Sequence, residues 1–95
     1  MARPHHFHVD RLGHSITVTV RSAPTSEIEL LVDGKEVFLQ RVRGSGTTLV
    51  TGELPEDPPL PFRIHVHQAR FGCAIPHCTL EIDDEEALMP ERAIV

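Results

Sequence analysis

The feature that most constrains this 95-residue chain is a repeated alternation of apolar and polar residues. In residues 15–21, Ile16, Val18 and Val20 fall on one face of an extended strand, and Thr17 and Thr19 fall on the other. Successive side chains of a β-strand point to opposite faces, so a period of two predicts half-buried strands. No longer segment keeps the 3.6-residue period of a helix. The pattern predicts an all-β protein with no substantial helix.

The strongest local signal is the dipeptide Asp33-Gly34, which lies between two alternating segments. A two-residue type I′ turn needs positive φ at both central residues, and Asp and Gly tolerate this conformation. One register then satisfies both the turn and the apolar pattern. The cross-strand pairs predicted for this hairpin are Val32 with Lys35, Leu30 with Val37, and Ile28 with Leu39.

The rest of the chain predicts further short strands separated by loops. Residues 47–51 and 62–68 are expected to form strands, and residues 54–61 contain four prolines and are expected to form a connecting loop. A second hairpin is expected around Asp84-Glu85, with Ile82 opposite Ala87 and Leu80 opposite Met89. Six or seven short strands in this arrangement predict an antiparallel β-sandwich. We expect one domain over residues 1–95, with residues 1–6 mobile or forming an edge strand.

Composition excludes several functional classes. The chain carries 14 Asp and Glu against 9 Lys and Arg, a formal net charge of −5, which disfavours binding to a nucleic-acid backbone. There is no apolar run of about 20 residues to span a membrane, and the N-terminal residues lack the apolar core of a signal peptide. We therefore expect a cytoplasmic protein with two reduced cysteines. Lys35 is its only lysine, a preference for arginine that suggests a bacterial source.

Two hairpin motifs carry a resemblance to a known family. Residues 30–37 read LLVDGKEV, residues 79–83 read TLEID, and an earlier strand begins near His14 and Ile16. This spacing resembles the Fas apoptotic inhibitory molecule family, whose members place similar motifs in the hairpins of a compact antiparallel β-sandwich. The resemblance implies a non-enzymatic interaction domain.

One group of residues suggests a metal site. His65 and His67 are two positions apart on a predicted strand, so both imidazoles project from one face. The following loop adds Cys73, His77 and Cys78, and zinc is held by four such nitrogen and sulfur ligands. The alternative is that the two histidines line a solvated sheet face and that the cysteines fill the core. This second interpretation fits the loose ligand spacing better, and we assign no metal or cofactor.

Catalytic signatures are weak. The chain has no G-x-S-x-G motif and no phosphate-binding loop, and a cysteine nucleophile would need a nearby cation or helix terminus to activate it. His5, His6 and His8 are expected to belong to a terminal segment without a specific role. The sequence therefore predicts a non-enzymatic interaction or accessory module with a protein partner or a second copy, the latter as a homodimer formed by sheet pairing or by face packing. The alternative is a small zinc-binding protein that uses His65, His67, Cys73 and Cys78.

Overall fold

The computed structural model of the chain describes residues 4–22, 26–42, 46–68 and 76–92. These residues form eight β-strands and no helix. The strands are β1 (His5–Arg11), β2 (His14–Ser22), β3 (Ser26–Val32), β4 (Lys35–Val42), β5 (Gly46–Leu54), β6 (Leu60–Gln68), β7 (His77–Ile82) and β8 (Glu85–Met89). The all-β prediction is confirmed, and the predicted number of six or seven strands is too low.

The additional strand is β1, whose first residues were expected to be mobile or to form an edge strand. It pairs along its whole length with β2, from His5 opposite Val20 to Arg11 opposite His14. Its sequence, HHFHVDR, has few apolar residues, so the sequence shows no clear alternation of apolar and polar positions there. The strand is held by its neighbours, and its histidine content gave no strand signal.

Every strand pairs with the next one in sequence, except β4 and β5. The result is two four-stranded antiparallel sheets, a first sheet of order β1-β2-β3-β4 and a second sheet of order β5-β6-β7-β8. One hydrophobic cluster joins the inner faces of both sheets. We use "outer face" for the opposite face of each sheet. The side chains that form the cluster are Phe7, Ile16, Val18, Val20, Ile28, Leu30, Val32, Val50, Leu54, Phe62, Ile64, Val66, Cys78, Leu80, Ile82 and Met89.

The alternation predicted from the sequence fits this core closely in two strands. Ile16, Val18 and Val20 of β2 are fully buried, and so are Ile64 and Val66 of β6. Complete burial of one such side chain stabilises the fold by about 1.5–3 kcal/mol. These two central strands therefore supply a large part of the hydrophobic stabilisation.

The first hairpin has the predicted turn but a different register beyond it. Asp33 and Gly34 have φ angles of 52° and 81°, as a type I′ turn requires, and Val32 faces Lys35. The register then shifts between Leu30 and Leu31, so that Leu30 faces Phe38. The predicted pairs of Leu30 with Val37 and Ile28 with Leu39 are wrong, because Val37 is the extra residue of a β-bulge.

The bulge changes which residues of β4 face the core. Phe38 and Val42 pack against the hydrophobic cluster, while the side chains of Val37 and Leu39 are 55% and 52% exposed. A pattern of alternating residues contains no sign of one extra residue, so the sequence assigned Val37 and Leu39 to the wrong face.

The second hairpin is displaced by two residues from its predicted register. Its turn residues are Asp83 and Asp84, with φ angles of 51° and 60°, and Leu80 faces Ala87 instead of Met89. A shift of two residues keeps every side chain on the same face. The apolar pattern therefore could not distinguish the two registers, and only the positive φ values at both Asp residues decide between them.

The proline-rich connection is shorter than expected. β5 continues to Leu54 and β6 begins at Leu60, so the loop covers residues 55–59 within the predicted segment 54–61. Cys73 and residues 1–3 lie outside the described residues, so no structure is given for them. Among the residues that are described, no helix has the length and apolar character needed to cross a membrane.

Candidate interaction site

The two histidines of the alternative zinc hypothesis, His65 and His67, lie on the outer face of β6 but point away from each other. His65 Nε2 is 3.6 Å from Glu81 Oε2 on β7. His67 Nδ1 is 2.7 Å from Thr47 Oγ1 on β5. The two rings therefore lean toward opposite neighbouring strands. This places them as members of an exposed polar row, as the alternative interpretation predicts.

Cys78 lies on the other side of the same sheet. Its side chain is fully buried in the core, and burial raises the pKa of its thiol to about 12. His77 is exposed and pairs with His67, so it shares the outer face with the histidines. Cys78 therefore cannot join His65 and His67 around one ion, nor act as an activated thiolate. Within residues 4–22, 26–42, 46–68 and 76–92, no three His, Cys, Asp or Glu side chains are arranged to hold a metal.

The N-terminal histidines make cross-strand contacts. His6 Nδ1 is 3.0 Å from Thr19 Oγ1, and His8 Nδ1 is 2.9 Å from Thr17 Oγ1. Thr19 is only 2% exposed, so the His6 contact provides a partner for a buried hydroxyl. These histidines help to hold β1 against β2.

A group that the sequence did not reveal lies at one end of the molecule, around His14. Its Nδ1 is 2.8 Å from Asp33 Oδ2, and its Nε2 is 3.6 Å from Glu56 Oε1. The contact with Asp33 is the main cause that raises the pKa of His14. The backbone N–H of Ser15 donates a hydrogen bond to Asp33 Oδ1. This hydrogen bond is the main reason why the pKa of Asp33 is lowered. The group links the turn after β3 to the loop after β5, and such distant positions leave no local sequence signal.

The two lateral sides of the molecule differ in how their edge strands are covered. On one side, residues 90–92 continue from β8 and pair with β1. His8 N donates to Pro90 O at 3.1 Å, and Arg92 N donates to His6 O at 2.6 Å. His5 Nδ1 adds a contact of 2.6 Å to Glu91 Oε2. This segment covers part of the free edge of β1.

The opposite side, between β4 and β5, is open. In the part of the chain that the structure describes, neither strand has a second pairing partner. A groove of about 620 Å³ runs between Val37 of β4 and Gly52 of β5, and Phe62 forms part of its lining. Val37, Leu39 and Leu49 are exposed on these two strands. An exposed edge strand with apolar side chains is a template for pairing with another strand.

Charged side chains follow the exposed face of β4. A hydrogen bond with Glu29 is the main cause that raises the pKa of Glu36. Arg41 has a side chain that is 81% exposed, and its Nε is 3.8 Å from Glu27 Oε2. Neither Glu36 nor Arg41 is thus held in a close ion pair within the described residues. The β4 edge presents two apolar residues between an acidic and a basic one.

Comparisons with protein-family models, curated proteins and solved structures found no match to this chain. The resemblance to the Fas apoptotic inhibitory molecule family therefore stays a prediction.

Proposed function

We propose that this chain is an eight-stranded β-sandwich that acts as a non-enzymatic interaction module, and that it binds an extended polypeptide segment along β4. The observation that carries the proposal is the edge of β4, which no other described residue pairs with. This eight-residue strand has Val37 and Leu39 exposed by more than half. In strand addition, the backbone hydrogen bonds supply affinity and alternate side chains supply specificity.

The other edge strands are less suited to this role. Residues 90–92 cover part of β1. β8 has only five residues, of which Leu88 is the single exposed large apolar one. β5 shares the open side, but Leu49 is its only large apolar side chain with comparable exposure among the described residues. Among the described strands, β4 combines an edge without a pairing partner with the larger exposed apolar surface.

The core supports a binding role over a catalytic one. The Cys78 thiol is buried with a raised pKa, and the His65 and His67 side chains are engaged with Glu81 and Thr47. A nucleophile needs an adjacent base within hydrogen-bond reach, and Cys78 has no such geometry with the two histidines on the opposite face. The proposed function therefore requires no chemical step.

The test uses peptides selected from a random display library against the folded protein. We expect the selected peptides to slow hydrogen exchange of β4 amides and to lose binding with Leu39→Lys, because lysine on an edge opposes strand addition. Leu88→Lys, at the exposed leucine of β8, is the matched control and should bind as the unaltered protein does. Failure to select any peptide, or peptides that protect other strands and tolerate Leu39→Lys, would overturn the proposal.

A further inference from the structure

We infer that the strand bound at β4 is the β4 strand of a second copy of this chain, paired antiparallel about a two-fold axis at Leu39. This inference rests on the proposed function and adds the identity of the partner. It follows from the order of side chains on β4 and from the faces to which the bulge assigns them.

The bulge fixes which residues share a face. Phe38, opposite Leu30, lies on the core face, and Leu39, opposite Glu29, lies on the outer face. Glu36 and Arg41 also lie on the outer face, because their partners Leu31 and Glu27 do. Directly opposed residues in a sheet point to the same face, whereas neighbouring residues of one strand point to opposite faces. In a symmetric pair of strands, the two-fold axis must therefore lie beside one residue that opposes its own copy, and not between two residues.

Centring on Leu39 matches charges as well as faces. Phe38 then lies opposite Gln40 of the second copy, and Arg41 lies opposite Glu36 of the second copy, because the bulge absorbs Val37. Symmetry repeats the ion pair, and the two Leu39 side chains meet at the axis. Within β4, residues 35–42, an axis at Phe38 or Gln40 brings no opposite charges together. Of these three registers, only the one centred on Leu39 pairs opposite charges inside the strand.

Both charged residues have capacity for a new partner. The Glu29 carboxyl beside Glu36 raises the pKa of Glu36, chiefly by hydrogen bonding to its protonated form, and the two groups repel each other when both are ionised. Arg41 is largely solvent-exposed and has one long contact, to Glu27. An arginine from the second copy beside Glu36 would favour its ionised form. Opposite charges at an interface also fix its register.

The expected dimer is weak. Pairing two eight-residue strands covers much less surface than the roughly 1,600 Å² of a standard stable interface. Two Leu39 side chains and the neighbouring Val37 residues provide its apolar centre, and both leave water when the strands pair. We expect dissociation in the micromolar range or above, so the protein should be monomeric when dilute and dimeric when concentrated.

Sedimentation equilibrium with charge exchange tests the ion pairs. Glu36→Arg and Arg41→Glu should each weaken the dimer about tenfold, because each change replaces two attractive contacts by two repulsive ones. The double variant Glu36→Arg/Arg41→Glu should recover most of the affinity, since it restores opposite charges across the axis. Glu86→Arg on β8 is the matched control and should have no effect. Circular dichroism and thermal melting would confirm that every variant is folded.

Cross-linking tests the axis directly. Leu39→Cys should form a disulfide-linked dimer on mild oxidation, because opposed residues have Cα atoms about 4.5–5.5 Å apart, within the range for a disulfide. Gln40→Cys should not, because residue 40 then opposes residue 38 and its two copies are too far apart. The unaltered protein gives the background from Cys73 and Cys78.

The outcomes separate the two proposals. A protein that remains monomeric at millimolar concentration, while selected peptides still protect β4, would overturn the second copy as partner and leave the proposed function. A dimer that is insensitive to charge exchange, or in which Gln40→Cys cross-links better than Leu39→Cys, would overturn the register. If neither peptides nor a second copy bind at β4, both proposals fail.

Discussion

The Gly52→Ala substitution gives a direct test of how the two sheets pack together. Gly52 lies on β5 opposite Phe62 of β6. A Cβ atom at this position would be 2.7 Å from Phe62 Cζ and 3.1 Å from Leu30 Cδ2. Phe62 is 2% exposed and Leu30 is fully buried in the other sheet, so both contacts lie inside the core. One methyl group would therefore be compressed between the two sheets.

The size of the effect follows from two opposing contributions. Overpacking a dense core costs about 1–3 kcal/mol. Replacing Gly by Ala also reduces the entropy of the unfolded chain, which stabilises the fold by about 0.4–1 kcal/mol. The φ angle of Gly52 lies outside the left-handed region, so no backbone strain is added. We expect a net loss of about 1–2 kcal/mol, or a decrease in Tm of about 5–15 °C.

Urea unfolding followed by circular dichroism measures this loss, and a double-mutant cycle assigns its cause. Phe62→Leu removes the ring atoms that the new methyl would meet, so the Gly52→Ala/Phe62→Leu protein should be more stable than the sum of the single effects predicts, by at least about 1 kcal/mol. The reasoning is refuted if Gly52→Ala is neutral or stabilising, or if the two substitutions are additive.

Three other expectations follow from individual groups. Because Asp33 raises the pKa of His14, the stabilisation from this pair is complete below about pH 6.5 and is lost as the pH rises through the folded-state pKa. Melting curves between pH 5.5 and 8.5 should show this slope in the unaltered protein and a reduced one in His14→Gln, and equal slopes would count against it. Cys78 should react with iodoacetamide at neutral pH only after unfolding, because burial raises the pKa of its thiol to about 12, and rapid labelling of the native protein, identified by peptide mass spectrometry, would contradict this. Chelators should leave Tm unchanged because His65 and His67 point to different strands, whereas near-stoichiometric zinc in untagged protein, lost on changing both to Ala, would show that a metal site forms.

Local chemistry in the sequence predicted the parts of the fold that depend on few residues. The alternation in β2 and β6 assigned their buried faces correctly, and the Asp33-Gly34 turn has the predicted type. Cys78, Leu80 and Ile82 alternate in sequence and share the buried face of β7, on the side of the sheet opposite to His65 and His67. The alternation of residues 78, 80 and 82 is therefore a sequence signal against a zinc site that joins Cys78 to His65 and His67.

Features that depend on distant partners were not predictable in this way. β1 contains little apolar surface, and it is held by pairing with β2 and with residues 90–92. The contact of His14 with Glu56 joins the start of β2 to the loop after β5, and these two positions are far apart in sequence. The shift of the second hairpin preserves all faces, so it depends on the backbone preference of Asp83 and Asp84. Each of these features depends on which segments pair and in which register, and the sequence of one strand does not specify its partner.

The bulge at Val37 links the fold to the proposed association. In the regular register, Val37 and Leu39 would face the core and Phe38 would face solvent. The observed register instead buries part of the larger Phe38 side chain and leaves Val37 and Leu39 more than half exposed. Each such exposure forgoes about 1 kcal/mol of hydrophobic stabilisation, which a monomer cannot recover. In the proposed dimer, a second β4 strand would cover both residues at once. The residue that disrupts the ladder within one chain would then also create the apolar edge through which two chains pair.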